Sequence, residues 1–304
     1  MTREHDLAAV DLAALERAVD AALAQGDDSS LHVLGYGEIT TVFAWPGPDG
    51  PYACKRLPLF TKARFAAYRP AFDDYLEALT ERGVDVLSTA LVHETRADGW
   101  IVAYCIQPVL PRDSLLPEVL RRAGDRDDAE PRIRALLGAL IEHLARVVDE
   151  HVGIDAQVSN WAVADSGLVY LDVSTPFLRD ADGHDRFDCD TYLESIPAVF
   201  RGFARRFVIP GVVQTYHSTP SIVRNLAGHL TKEGLDRWIP LALELARERL
   251  GVDVTPRAAR RHYRNDIRLW GLIQRVRRID RVWQRRIRRR PYPFLLPRPV
   301  DRGL

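Results

Sequence analysis

The chain has 304 residues, of which 46% are hydrophobic and 28% are charged, as in an ordinary globular protein. Lys+Arg and Asp+Glu both number 42, so the net charge points to no particular partner. No stretch approaches the roughly 20 apolar residues that cross a bilayer, and the N-terminus lacks the apolar core of a signal peptide. The three cysteines show neither metal nor disulfide spacing. We therefore expect a cytoplasmic protein.

The N-terminal part of the sequence predicts one helix followed by short strands. Leu, Ala and Val recur at helical spacing over residues 8–24. Residues 31–60 alternate strand-like runs with Gly and Pro turn signals, which predicts three antiparallel strands in a row. A second helix is predicted after Pro70, and two further strands are predicted at 87–94 and 100–107.

Beyond Pro108 the hydrophobic pattern becomes helical, apart from a short strand–loop–strand insert. Helices are predicted over 130–150, 190–208, 220–231, 233–250 and 256–290. The pattern predicts an α+β fold with a small antiparallel β lobe, a larger helical lobe and a basic C-terminal helix. The predicted divisions are an N-terminal helix (1–30), the β-rich lobe (31–107), the helical lobe (108–255) and the basic helix with a Pro-rich tail (256–304).

Gly35 and Gly37 form a glycine pair between two predicted strands. A dinucleotide-binding loop would need a helix directly afterwards, whereas the β-branched run "TTVFAW" follows. A glycine hairpin can direct its backbone N–H groups at nucleotide phosphates. On this pair alone, an ordinary turn is the favoured interpretation.

Lys55 lies inside the apolar third strand, "YACKRL", where a charged group needs a facing anion. Glu77 on the following helix is the best-placed carboxylate, with Glu81 as the alternative. A lysine that points to water from an edge strand is the competing interpretation. Because Arg56 alternates to the other face of the strand, we expect one of the two cations to be solvated.

Asp155, Asn160 and Asp172 lie on the strand–loop–strand insert, and Asp172 directly follows an apolar strand. Their oxygens could hold a divalent metal and orient a hydroxyl group. They could equally be turn residues, since Asp and Asn are favoured in turns by local hydrogen bonds.

Four motifs in this order resemble those of the protein-kinase-like superfamily, including its aminoglycoside- and choline-phosphotransferase branches. "GYGEITTVF" resembles the glycine-rich loop, with Thr40 in place of a third glycine. "ACK" resembles the strand-three lysine motif. "DAQVSN" has the catalytic-loop spacing, and "LDVS" resembles the metal-binding Asp motif. The resemblance runs from about Leu34 to Asp172.

The resemblance implies ATP and Mg²⁺ as cofactors and a small-molecule kinase as the activity. It implies that Asp155 accepts the proton of the attacking hydroxyl or simply orients that hydroxyl, with Asn160 and Asp172 holding Mg²⁺. The nucleotide would be bound by Gly35, Gly37, Val42, Lys55 and Glu77, with Glu77 positioning the lysine. The acceptor would be a small hydroxylated or amino-containing metabolite.

Some residues depart from the family pattern. His151 lies four residues before Asp155 rather than two, Ile154 takes the place of the usual Arg or Gly, and Ser174 replaces a glycine. A non-catalytic kinase-like module that binds nucleotide or a partner is therefore the alternative. Adenylyl transfer on the same fold also stays open.

The segment from Arg257 to Arg290 carries many arginines around Ile, Val and Trp. The favoured interpretation is a terminal helix whose apolar face, formed by Ile267, Trp270, Ile273, Val276, Ile279 and Val282, docks on the large lobe. An anionic membrane surface is a further candidate partner. Nucleic acid is a third option that we do not expect.

Overall fold

A computed structural model describes residues 6–36, 40–123, 130–188, 190, 193, 198–287 and 292. Gly37 and Cys189 lie outside the described residues, as does nearly all of the Pro-rich tail. Cys54 and Cys105 are buried free thiols, and burial raises the pKa of each to about 12.

Five antiparallel strands form the larger sheet. Their bounds are β1 Val33–Tyr36, β2 Thr41–Gly47, β3 Gly50–Arg56, β5 Ala90–Thr95 and β6 Ile101–Pro108, and their order across the sheet is β1-β2-β3-β6-β5. The predicted run of three strands is confirmed, and the turn after β2 ends at Gly50, whose φ of 131° favours glycine. The strand predicted at 87–94 spans Ala90–Thr95, and Asp85–Val86 forms a separate, unpredicted strand, β4, in another sheet.

Helix α1 (Leu12–Gln25) covers one face of this sheet, which we call the outer face. Asp11 begins the helix by accepting a hydrogen bond from the Ala14 N–H, and Gly26 ends it with a φ of 71°. The helix shares a buried apolar cluster with the strands. Its members include Leu15, Val19, Phe43, Tyr52, Cys54, Tyr104 and Ile106.

The expectation that Lys55 or Arg56 is solvated is wrong. Arg56 points to the outer face, where Glu16 of α1 accepts hydrogen bonds of 3.0 Å from its Nε and 2.6 Å from its Nη2. Glu16 also accepts from Tyr104 Oη (2.5 Å) and Arg96 Nη1 (2.6 Å). Both cations are largely removed from water because each strand face is covered by another element.

Helix α2 (Lys62–Glu81) packs on the inner face of the sheet. It begins at the Thr61 cap, well before Pro70, so the predicted start was wrong. Pro70 removes one helical hydrogen bond, but the first turns bury aromatic side chains that keep the helix continuous. The buried residues are Phe65, Tyr68, Ala71, Phe72, Tyr75 and Leu79.

A second, three-stranded sheet contains β4, β7 (Trp161–Ala164) and β8 (Gly167–Tyr170), in the order β4-β8-β7. Strand β4 pairs in parallel with β8, and β7 and β8 form an antiparallel hairpin. Helices α3 (Leu116–Ala123) and α4 (Glu130–Val147) precede this hairpin. Helix α4 ends three residues before its predicted limit.

The remaining described helices differ from the predictions in their bounds. They are α5 Ala198–Phe203, a π-helical turn Ala204–Val208, α6 Ile209–Tyr216, α7 Thr219–Lys232, α8 Ile239–Leu250 and α9 Pro256–Arg286. None of the described helices is long and apolar enough to span a bilayer. The chain has the predicted α+β arrangement, with a small lobe built on the five-stranded antiparallel sheet and a larger helical lobe. The exact division into four segments stays a prediction.

Candidate active site

Lys55 and Asp172 form an ion pair between the two sheets, and we call the place where they meet the cleft. Lys55 lies in the middle of β3, paired with Val42 of β2 and Cys105 of β6. Its Nζ lies 2.7 Å from Asp172 Oδ1. The Lys55 side chain is 18% exposed and that of Asp172 is 30% exposed. The pair is therefore partly buried but open to solvent on one side.

The predicted partner of Lys55, Glu77, is not brought to the lysine. Glu77 and its alternative, Glu81, are both exposed on α2. Tyr75 and Leu79 occupy the buried face of that helix, and Glu77 is two residues from each. Two residues correspond to about 200° of helical rotation, so Glu77 points away from the sheet. The carboxylate that meets Lys55 is Asp172.

Ser174 fixes the Asp172 carboxylate. Its backbone N and its Oγ donate to Asp172 Oδ1 at 3.3 and 2.8 Å, and its carbonyl accepts from Tyr68 Oη at 2.8 Å. Burial raises the pKa of Asp172, but the Lys55 ammonium and the Ser174 hydrogen bonds outweigh it and hold this pKa below its usual value. Ser174 thus stabilises the ionised form of Asp172.

Asn160 and Asp172 are the predicted metal ligands. In the hairpin, Trp161 pairs with Tyr170. The residues next to this pair, Asn160 and Leu171, therefore lie together, and Leu171 N donates a hydrogen bond to the Asn160 carbonyl at 2.9 Å. Asn160 Nδ2 is buried without a hydrogen-bond partner among the described residues, and rotating the amide would put its oxygen there. The hydrogen bonds that Asp172 receives from described residues all reach Oδ1, which leaves Oδ2. Two hard oxygen donors fit Mg²⁺.

Asp155 is buried in the loop that precedes the hairpin. Gln157 donates to it from both the backbone N (3.0 Å) and the side-chain Nε2 (2.9 Å). Lys232, at the end of α7, donates to Gln157 Oε1 at 3.3 Å. Burial raises the pKa of Asp155 to about 6; the Gln157 hydrogen bonds oppose this, while the negative charge of Asp172 adds to it.

The loop that carries Asp155 is held by close packing. Tyr75 Oη donates to the Gly153 carbonyl at 3.0 Å, and Tyr170 Oη lies 3.4 Å from Asp155 N. A Cβ on Gly153 would lie 2.8 Å from the Tyr216 carbonyl oxygen, so a side chain there would displace backbone. The position of Asp155 is therefore fixed by the packing around its loop and not only by hydrogen bonds within a turn.

The glycine pair is described only in part. Gly35 pairs with Val42, which pairs with Lys55, so the three lie in one row across the sheet. No atom of the described residues lies within 4 Å of a Cβ built on Gly35, so their packing does not require a glycine there. Gly37 lies outside the described residues, and its part in the loop stays a prediction.

Sequence reasoning missed Gln157 and Lys232. Gln157 lies within "DAQVSN", but nothing in that motif indicates that it binds Asp155. Lys232 is 75 residues further along the chain, and only the packing of α7 brings it to the loop. No local pattern signals such a contact.

Residues 14–281 match the model of a family described as a family of unknown function, DUF6206. No curated protein matches the sequence. Among solved structures, the chain is similar to one described as "WaaP in complex with acyl carrier protein". That match has 16% identity and a TM-score of 0.40, and it covers 86% of this chain and 95% of the other. Because the family model matches most of its length, the chain belongs to the DUF6206 family.

Proposed function

We propose that the chain is an ATP- and Mg²⁺-dependent phosphotransferase that acts on a small hydroxylated or amino-containing metabolite. The observation that carries this proposal is the Lys55–Asp172 ion pair beside the buried Asp155. The two carboxyl groups have pKa values shifted in opposite directions. Such a difference is typical of sites where one carboxylate holds charge and another handles a proton.

Lys55 is the residue proposed to pair with the nucleotide phosphates. Its ion pair with Asp172 keeps the ammonium at the cleft, where the partly exposed side leaves room for an anion. Asn160 and Asp172 would hold Mg²⁺, which neutralises charge on the phosphates when bound. Gly35 and Val42, in the same row of the sheet as Lys55, would lie beside the nucleotide.

Asp155 is the residue proposed to orient the acceptor hydroxyl and take its proton as the γ-phosphoryl group is transferred. With a pKa of about 6 it is mostly ionised at neutral pH and still basic enough to accept a proton. Gln157 fixes both of its oxygens, and Lys232 fixes Gln157. Gln157 and Lys232 would therefore act as positioning residues.

The direct test is ATP consumption by the full chain against aminoglycosides, amino alcohols and sugars, with Mg²⁺ present. We expect at least one acceptor class to raise the rate above the acceptor-free background, with one phosphorylated product formed for each ADP. Product can be identified by mass spectrometry. If no acceptor class raises the rate although the nucleotide binds, the chain is not a phosphotransferase for these substrates.

A non-catalytic nucleotide-binding module is the second candidate function. The observation that favours it is the exposure of Glu77. Lys55 is then not paired with a carboxylate of α2, and Asp172, the proposed metal ligand, neutralises its charge instead. Nucleotide binding without turnover, unchanged by substitution of Asp155, would support this candidate.

A further inference from the structure

Helix α9 and the residue that follows it expose an apolar stripe towards the C-terminal end. The large apolar residues there are each between 50% and 70% exposed, which is unusual for a water-facing helix. They are Leu272, Ile279, Val282, Trp283 and Ile287. Ile279 and Val282 belong to the face expected to dock on the large lobe, so that expectation is wrong for this half of the helix.

The same helix concentrates positive charge. Residues 256–286 contain eleven arginines, no lysine and two acidic residues, which gives a net charge of +9. Since the whole chain is neutral, the remaining residues carry a net charge of −9. The charge of the molecule is therefore strongly divided between this helix and the rest.

The apolar stripe lies on the side of α9 that faces away from the protein. The helix packs on α7, where a Cβ built on Gly228 would lie 3.4 Å from the Cβ of Tyr263. Ala259 and Arg277 are buried and lie on the side of the helix opposite Leu272. At about 100° per residue, Leu272, Ile279 and Trp283 fall within about 40° of one another and more than about 100° from Arg277.

Arginines lie among the exposed apolar residues of the stripe. Arg268, Arg275 and Arg286 are exposed and lie within about 60° of Leu272 on the helical projection. Within the described part of the chain, none of the three forms an ion pair. A Trp-containing apolar stripe beside solvated arginines has the composition of a helix that lies in a membrane interface.

We propose that α9 docks the protein on an anionic membrane surface, with the apolar stripe inserted at the headgroup boundary and the arginines contacting anionic headgroups. A second copy of the chain fits less well, because pairing two stripes would bring two helices of charge +9 together. Nucleic acid would use the arginines but would leave the large apolar side chains of the stripe in water.

The test is co-sedimentation of the full chain with phosphatidylcholine vesicles, with and without phosphatidylglycerol, at low and high salt. We expect binding only to the anionic vesicles, weakened by salt. R275Q/R286Q is expected to weaken binding about 25-fold, since each basic residue near an anionic surface contributes about fivefold. I279Q/W283Q is expected to weaken it at least about tenfold, through loss of inserted apolar area.

The matched control is R112Q/R122Q, which removes two exposed arginines outside α9 and is expected to leave binding unchanged. All four α9 substitutions are on exposed positions, and circular dichroism checks that the variants are folded. An absence of binding to anionic vesicles, or equal losses in the control and R275Q/R286Q, would overturn the proposal. So would a dimer that I279Q/W283Q dissociates, or tighter binding to duplex DNA that I279Q/W283Q does not affect.

Discussion

Replacing Asp155 by Asn is expected to lower phosphoryl transfer by roughly 10²–10⁴-fold, the usual contribution of a positioned general base. The amide keeps the shape of the carboxylate and one accepting oxygen for Gln157, so the loop should keep its structure. Asp155 faces the acceptor rather than the nucleotide in the proposed site, so Mg²⁺-ATP affinity should change little. Steady-state rates and nucleotide titrations on the same preparation measure the two effects separately.

The pH profile separates a proton-accepting role from a structural one. With the Asp155 pKa at about 6, the wild-type rate should rise as pH increases through this value and then level off. The Asp155→Asn variant should lack this rise. Asp165→Asn is the matched control, because Asp165 is exposed on the turn of the adjacent hairpin. Equal rates in wild type and Asp155→Asn, with the same pH profile, would contradict the proposed role.

Replacing Glu16 by Ala is expected to lower the free energy of unfolding by about 3–5 kcal/mol, the usual cost of leaving a buried charge without its partner. Glu16 is buried and accepts two hydrogen bonds from Arg56, which is itself buried. The substitution would leave the guanidinium beneath α1 without its hydrogen-bonded carboxylate. Urea unfolding measures the loss, and Glu16→Gln, which keeps the shape, serves if the alanine variant does not fold.

The contribution of Glu16 to the free energy of unfolding depends on pH in a defined direction. Burial raises the pKa of Glu16, but Arg56, Tyr104 and Arg96 outweigh it, so the pKa in the folded protein is lowered. The stabilisation is thus present above the usual pKa of 4.5 and is lost as pH falls through the folded value.

The control for this prediction is Asp73→Ala, which breaks the exposed Arg69–Asp73 pair on α2. An exposed pair contributes only about 0–1 kcal/mol, so this variant should unfold almost as the wild type does. Similar losses for Asp73→Ala and Glu16→Ala would mean that Glu16 is not the buried counter-charge of Arg56.

Local pattern was enough to predict the five strands of the larger sheet, apart from their exact bounds, and to single out Lys55 and Asp172 as candidate site residues. Lys55 is a charged residue in the middle of an apolar strand, and Asp172 directly follows another apolar strand. Each therefore stands out in the sequence as a charged residue next to buried neighbours. The structure brings them together at 2.7 Å, although they lie on different sheets. The hairpin register then places Asn160 beside Leu171, next to Asp172.

Glu77 was wrongly predicted to be the carboxylate partner of Lys55, because it lies on the helix that follows the lysine strand. Helix α2 buries Tyr75 and Leu79, and helical geometry then requires Glu77 to face away from them. The part of α2 that precedes Pro70 was not predicted, because proline usually marks a helix boundary. Burial of Phe65 and Tyr68 outweighs the hydrogen bond lost at Pro70.

Contacts between distant segments could not be predicted from the sequence. Glu16 and Arg56 are 40 residues apart, and Gln157 and Lys232 are 75 residues apart. Each contact depends on how a helix packs against the rest of the chain, and neither leaves a periodic signal. The same holds for α9, whose sequence shows an apolar stripe but not which part of it is covered.

Thermal unfolding of the full chain with ATP, with and without Mg²⁺, tests most directly whether this cleft is a nucleotide site. At about 100 times its dissociation constant, Mg²⁺-ATP should stabilise the wild type by about 2.7 kcal/mol. Lys55→Ala and Asp172→Ala should each remove most of this gain, whereas Lys62→Ala, at an exposed position on α2, should retain it. An absence of stabilisation by any nucleoside triphosphate with Mg²⁺ present would contradict the proposed site.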